Sequence, residues 1–228
     1  MKKAIVFIDA NNWYHNIRNW FKPSDLDIKK IVELISDNKK LEVIEIRWYV
    51  SVPNIEDNKL NYVRHMDFLG HLEKQGIKII TRKLQRLSNK EIIKKRQSFL
   101  ESWDLCEICK PVVESGFLDI KDPNQKEKGI DVWIAIDMVK EAIQNKIDTC
   151  ILISGDADFV PALDLIRNIG KEVLSTFIPK GYSNELRQKF NYYILNREDL
   201  SKCLKDYKET SQNSNDKNQN EKTNKENN

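Results

Sequence analysis

A chain of 228 residues, 40% hydrophobic and 32% charged with seven glycines and six prolines, has the size and composition of a soluble globular protein with one main core. No apolar run approaches the roughly 20 residues that span a bilayer. The short apolar start at residues 1–7 meets Asp9, Asn11 and Asn12 at once, which is not the pattern of a signal peptide, so neither a membrane protein nor an exported one is expected. The net charge of +3, from 38 basic and 35 acidic residues, does not by itself demand a polyanionic partner.

In chain order, Lys2 to Asp9 is an apolar run ending in an acid, the pattern of a buried parallel strand. Asn11 and Asn12 can cap a following helix with Trp13, Ile17 and Trp20 on one face. Residues 26–35 repeat that periodicity through Ile28, Ile31, Val32 and Ile35. Residues 41–52, rich in β-branched and aromatic types, form a second strand stopped by Pro53. Residues 58–75 fit a longer helix, with Leu60, Val63, Met66, Phe68 and Leu69 as packing positions. Gly76 ends it, and a third strand follows at 77–81. Residues 82–128 are irregular, with a basic stretch, the Cys106/Cys109 pair and a hairpin around Val112 to Ile120. An apolar helix at 131–143 then leads to a strand at 149–154, a helix at 159–169, a strand at 172–178 and a helical region at 198–205. Such alternation predicts a three-layer α/β/α sandwich with a mainly parallel central sheet. The domain spans 1–205 with an insertion at about 83–128, and the polar tail 206–228 reads as disordered.

Ligands of open α/β sheets bind outside the carboxyl ends of the strands. Asp9 ends the first strand, Asp156 and Asp158 follow the strand at 149–154, and Asp131 starts the helix before it. Crowded carboxylates repel unless a cation neutralises them. Hard oxygen donors in this number suit Mg²⁺ or Mn²⁺, which activate water and stabilise an in-line phosphoryl displacement. The plainer reading makes each Asp a turn residue or cap, with Asp158 capping the helix at Phe159. Asp137 lies six residues after Asp131, roughly 240° round a helix, and is read as a supporting or structural residue.

Three segments, Phe7-Ile-Asp-Ala-Asn-Asn12, Lys128-Gly-Ile-Asp131 with Ala135-Ile-Asp-Met138, and Ser154-Gly-Asp-Ala-Asp-Phe159 with Pro161, resemble in order and spacing the signatures of NYN domains. The LabA-like branch is the most similar, and its fold is related to PIN-domain nucleases. The resemblance covers residues 2–197. It implies a PIN-like fold and a metal-dependent ribonuclease, with Asp9, Asp131, Asp156 and Asp158 as catalytic and metal-ligating residues. It also implies Asn12 as a polar neighbour orienting a water or phosphate, and Ser154 beside the carboxylates. PIN nucleases often carry a further acid after the first helix, for which Asp25 and Glu56 are the candidates. Several family members have only regulatory roles, so an NYN-fold adaptor binding RNA or protein without cutting is the rival reading. Two other aspartate chemistries fit less well. HAD-type phosphatases need an acid where Asn11 stands, and Toprim-type nucleases need a Glu where Asp9 stands.

Arg82, Lys83, Arg86, Lys90, Lys94, Lys95 and Arg96 form the densest basic stretch, followed by Phe99 and Trp103, and suit RNA phosphates and unpaired bases. The plainer reading is a solvated helix face. Lys180 leaves another strand at the same edge, and Lys128 and Arg187 are weaker candidates. Cys106 and Cys109 make half of a zinc site, which wants four ligands; a thioredoxin-like redox role fits less well still, because the pair does not follow a first strand at a helix start, and a hairpin turn or degraded ribbon is the default. Cysteines in a chain expected to be cytoplasmic are read as reduced thiols. His15 is read as structural. A homodimer or a protein partner stays open at this stage, as do the RNA target and the number of metal ions.

Overall fold

The structure, a computed structural model, describes residues 1–56, 58–83, 85–86, 89–103, 105–107, 109–111, 113, 125–126, 129–179 and 181–205. The hairpin expected around Val112 to Ile120, Lys128, Lys180 and the tail 206–228 lie outside the described residues or almost wholly so. No described helix is long and apolar enough to cross a membrane.

Strand β1 (Lys2–Asp9) is buried at every position from Ala4 to Asp9, as a strand must be when both faces of its sheet are covered. It pairs in parallel with β2 (Leu41–Val52) on one side and β6 (Thr149–Ile153) on the other. With β3 (Lys78–Lys83), β7 (Glu172–Phe177) and β8 (Asn191–Ile194) they form one six-stranded sheet in the order β3-β2-β1-β6-β7-β8, parallel throughout. The order grows outward from β1 in one direction through β2 and β3, and from β6 in the other through β7 and β8. The junction of β1 and β6 is therefore the topological switch point, where open α/β sheets leave a crevice at the carboxyl ends.

Side-chain alternation along β1 sorts the core into two layers. Ala4, Val6 and Ile8 face α1 (Ala10–Ile17) and α2 (Ile28–Lys39), together with Leu69 and Leu72 of α3 (Lys59–Lys74). Ile5 and Phe7 face α5 (Ile130–Ile143), α6 (Val160–Asn168) and α7 (Asn184–Lys189). The last helix, α8 (Arg197–Lys202), joins the first layer through Leu200. This is the three-layer α/β PIN-like architecture.

Some local expectations need correction. Leu60, Val63 and Met66 are exposed on α3, and only Phe68 and Leu69 of the five expected packing positions turn toward the sheet. An edge strand offers a helix less apolar surface than a central one, so a narrower stripe suffices. The segment read as irregular holds α4 (Asn89–Glu101). Short strands β4 (Gln85–Arg86) and β5 (Gln125–Lys126) pair antiparallel, bringing the entry and exit of the insertion together. Helix α7 and strand β8 lie in a stretch whose short, mixed pattern carries little periodicity. Helix α1 is capped by Asp9, not by Asn11 or Asn12.

Candidate active site

Asp9 leaves β1 where β1 gives way directly to α1, with no intervening loop. Its side chain is the N-cap: Oδ1 accepts from the amides of Asn11 and Asn12, both at 3.1 Å. Oδ2 accepts from Ser154 Oγ at 3.0 Å, across the switch point. The residue is only 3% exposed, and these neutral donors and the positive end of α1 stabilise its carboxylate charge.

Ser154 follows β6 immediately and is buried. Besides donating to Asp9, its Oγ accepts the Asp156 amide at 3.2 Å. Asp156 in turn caps the 3-10 turn Ala157–Phe159, its Oδ1 accepting the Asp158 amide at 3.0 Å. The capping role considered for Asp158 therefore belongs to Asp156, and the Asp158 side chain is exposed. A relay of Asp158 amide, Asp156, Ser154 and Asp9 ties the two central strand ends into one unit. Pro161 at the start of α6 carries the chain away, a position where the missing amide proton is no loss.

Helix α1 and the loop after β7 close on this relay. Asn12 Oδ1 accepts the Gly155 amide at 3.0 Å and Asn16 Nδ2 at 3.0 Å. The Gly155 carbonyl accepts the Ser183 amide at 2.9 Å. A side chain at Gly155 would stand 2.1 Å from the Gly181 carbonyl oxygen, so the loop after β7 can lie against it only because residue 155 is glycine. Asn12 thus serves first as a tie between α1 and the Gly155 loop, a role its position in the sequence did not reveal.

Asp131 lies in the first turn of α5, which packs on β1 and on the 3-10 turn. Its side chain is exposed. Among the described residues no group of three or more His, Cys, Asp or Glu side chains stands close enough to hold a metal ion. The four aspartates share one edge of the sheet without forming a closed carboxylate cage. Of the candidates for a further acid, Glu56 follows β2 past its carboxyl end and is exposed, its amide bonded to Asn54 Oδ1 at 3.2 Å. Asp25 belongs elsewhere: its carbonyl accepts the Lys205 amide at 2.8 Å, and its carboxylate accepts from Ser24.

The basic stretch is only partly described. Arg82 is the penultimate residue of the edge strand β3, and its guanidinium lies over the Trp133 ring at 5.8 Å from the centroid, beside Gly129. Trp133 is 45% exposed, two residues beyond Asp131. Sequence reasoning passed over Trp133. The available signal was that α5 carries more apolar side chains than one face can bury, leaving Val132, Trp133 and Ile136 outside. Lys94 is exposed and Arg96 half-buried on α4, while the Lys95 side chain lies outside the described residues. Phe99 and Trp103 are exposed and meet edge to face at 5.2 Å.

Behind the edge lies a buried ionic cluster. Arg47 on β2 bonds Glu45 and Glu141, each at 2.8 Å, and lies 3.8 Å from Asp137. Tyr49, the β2 residue in register with Asp9, donates its hydroxyl to Asp137 Oδ2 at 2.8 Å. Burial, with the Asp137 carboxylate beside it, pushes the Tyr49 phenol well up. Burial alone would pull the Arg47 guanidinium down, but its bonds to Glu45 and Glu141 drive it up. Asp137 is thus a structural partner of β2, as its place on the helix suggested.

A parallel α/β sheet with acidic side chains spread along the carboxyl edge at its switch point is the architecture of the PIN-like class of folds. Residues 107–197 match the family model of the NYN domain. The match takes in Asp131, Asp156 and Asp158, while Asp9 lies before it. An uncharacterized protein of Methanocaldococcus jannaschii is 28% identical over 114 residues, covering 47% of this chain. The chain spans about half the length of that relative, 46% of it.

Proposed function

We propose that the protein is a metal-dependent ribonuclease of the LabA-like NYN branch that hydrolyses RNA phosphodiester bonds at the carboxyl edge of β1 and β6. The observation that carries this reading is the Ser154 bridge, which fixes Asp9 against the Asp156 turn at the switch point. The donor set is of hard oxygens, which fits Mg²⁺ or Mn²⁺. Magnesium commonly takes one or two carboxylates and completes its shell with water and substrate phosphate, so an open edge with dispersed acids suits it. Asp9 and Asp156 would hold the ion, with Asp131 and Asp158 supplying further carboxylate from the helix start and the 3-10 turn. When bound, such an ion lowers the pKa of its water and neutralises charge on the phosphodiester.

The remaining work belongs to the chain's own residues. Ser154 and Asn12 hold the two strand ends and the Gly155 loop in place. The Arg82–Trp133 pair offers a cation and a stacking face beside Asp131 for an unpaired base. Lys94, Lys95, Arg96 and Lys180 would neutralise flanking phosphates. No side chain becomes covalently attached to substrate.

The test is cleavage of single-stranded and structured RNA with Mg²⁺ or Mn²⁺ by wild type, Asp9→Asn and Asp156→Asn. Activity lost in both variants supports the nuclease, and equal activity in all three proteins rules out this site. RNA or protein binding without cleavage would favour the second reading, a regulatory NYN-fold adaptor. The lack of a closed carboxylate cage among the described residues is the observation on its side.

A further inference from the structure

The side chains left unused by that reaction include the four cysteines, and they divide sharply. Cys150 is fully buried in β6 and Cys203 is buried just after α8. Burial pushes both thiols up, which makes them inert, apolar fillers. Cys106 and Cys109 are both exposed and stand in one turn. The Cys109 amide meets the Cys106 carbonyl at 3.1 Å, and the Lys110 amide meets the same oxygen at 3.0 Å. The Cys109 amide also donates to Cys106 Sγ at 3.4 Å.

That geometry bears on sulfur chemistry in two ways. A turn closed between residues i and i+3 keeps their Cα atoms within about 7 Å, and a disulfide spans roughly 4.4–6.8 Å. The turn therefore brings the two backbones within the range a disulfide spans. The amide proton aimed at Cys106 Sγ stabilises a thiolate on that sulfur, since hydrogen bonds to a charged form favour it. Its hydrogen bond to Cys106 holds the Cys109 thiol above its ordinary value, so Cys109 keeps its proton. The two sulfurs are thus unequal in the way an attacking and a resolving thiol need to be. A structural zinc would want four ligands, and no group of three or more ligating side chains is found among the described residues.

We propose that Cys106 and Cys109 form a reversible dithiol–disulfide site, with Cys106 the attacking sulfur, Cys109 the resolving one, and a low-molecular-weight disulfide such as oxidised glutathione as the oxidant. The Cys106 thiolate, its proton given to solvent, attacks one sulfur of the glutathione disulfide. That S–S bond breaks, and the first glutathione leaves with the electron pair as a thiolate and takes up a proton. A mixed disulfide remains on Cys106. Cys109 then loses its proton to solvent and attacks Cys106 Sγ, expelling the second glutathione thiolate, which is protonated in turn. Two protein thiols are oxidised by two electrons in all, and one glutathione disulfide is reduced to two thiols.

The experiment uses the reduced full chain, stripped of metal with a chelator, in buffers of graded oxidised-to-reduced glutathione ratio. Samples are quenched by alkylation and read by intact and peptide mass. The expected result is a Cys106–Cys109 bridge that forms within that range and reverses with dithiothreitol. Cys109→Ser should stop at the glutathione adduct on Cys106, and Cys106→Ser should react at least about tenfold more slowly, in line with its weaker thiolate character. Circular dichroism confirms that both variants fold, as exposed positions lead one to expect. No bridge at any ratio, or a Cys106→Ser variant as fast as wild type, would overturn the proposal. So would cobalt titration showing a four-thiolate site that shields both sulfurs from glutathione. Asp9→Asn should oxidise like wild type, so failure here and failure of the nuclease reading are separable.

Discussion

Asp9 caps α1 and, in the proposed reaction, would also hold the metal ion, and substitution can separate the two roles. Asparagine caps a helix about as well as aspartate, so Asp9→Asn should unfold within a few degrees of wild type while RNA cleavage falls at least about 100-fold, the scale of removing one electrostatic stabiliser. Asp9→Ala should also lose the cap, for about 1 kcal/mol of stability. Thermal unfolding and RNA cleavage measured on both variants check this. Ser154→Ala removes the oxygen that joins Asp9 to the Asp156 amide. Metal affinity should then fall roughly 10- to 100-fold, as it does when a ligand loses its orienting partner, which isothermal titration with Mn²⁺ would show. Trp133→Ala should weaken single-stranded RNA binding by about 1–3 kcal/mol per lost stack, leaving the melting temperature unchanged because the ring is half in solvent.

At the scale of elements, α5 is fastened to β2 by the Arg47 cluster. Both Arg47 and Glu141 are 6% exposed at their side chains. Glu141→Leu would leave the buried guanidinium short of a partner, a loss of about 3–5 kcal/mol by analogy with other broken buried pairs, read by urea unfolding. The same cluster makes stability sensitive to acid. Burial would raise the Glu141 carboxyl, but bonds from Arg47 and Lys146 hold it below its ordinary value. The Arg47 bond, opposed by burial, does the same for Glu45. Groups with depressed folded pKa values stabilise above the unfolded value, here 4.5 for glutamate, and that gain is lost as pH falls through the folded pKa. Urea midpoints should therefore drop below about pH 4.5, and Glu141→Gln should flatten that acid limb. On α4, a Lys94→Ala/Lys95→Ala variant should reduce the salt dependence of RNA binding, its slope in log–log form becoming shallower by up to about 1.4 for two phosphate contacts on a single strand. An unchanged slope would remove α4 from the interface.

For the whole molecule, an ion bound as proposed should act as a ligand of the folded state alone. At about 100 times its dissociation constant, such a ligand adds roughly 2.7 kcal/mol, so Mg²⁺ or Mn²⁺ should raise the melting temperature of wild type and leave Asp9→Asn unmoved. The fold class was legible in advance because periodicity speaks for itself. The buried run from Ala4 to Asp9 and the strand at residues 41–52 lie where their composition put them, and an unbroken apolar run implies cover on both faces. The edges were not legible. Leu60, Val63 and Met66 are apolar at helical spacing, yet they stay exposed because α3 sits at the margin of the sheet. Nothing local in Leu60 records how many strands lie beneath it. Asp9 and Asp156 could be read as strand-end acids from their place after apolar runs, but the oxygen that links them belongs to Ser154, and no spacing reveals a bond across 145 positions. Periodicity and the three acidic motifs, all local in the chain, determined the α/β class and the candidate aspartates. Tertiary structure decided the rest: seating β1 beside β6 joined Asp9 to the Asp156 turn, packing of α5 on the sheet set Trp133 under Arg82 of β3, and the four carboxylates were left along an open edge rather than in a closed cage.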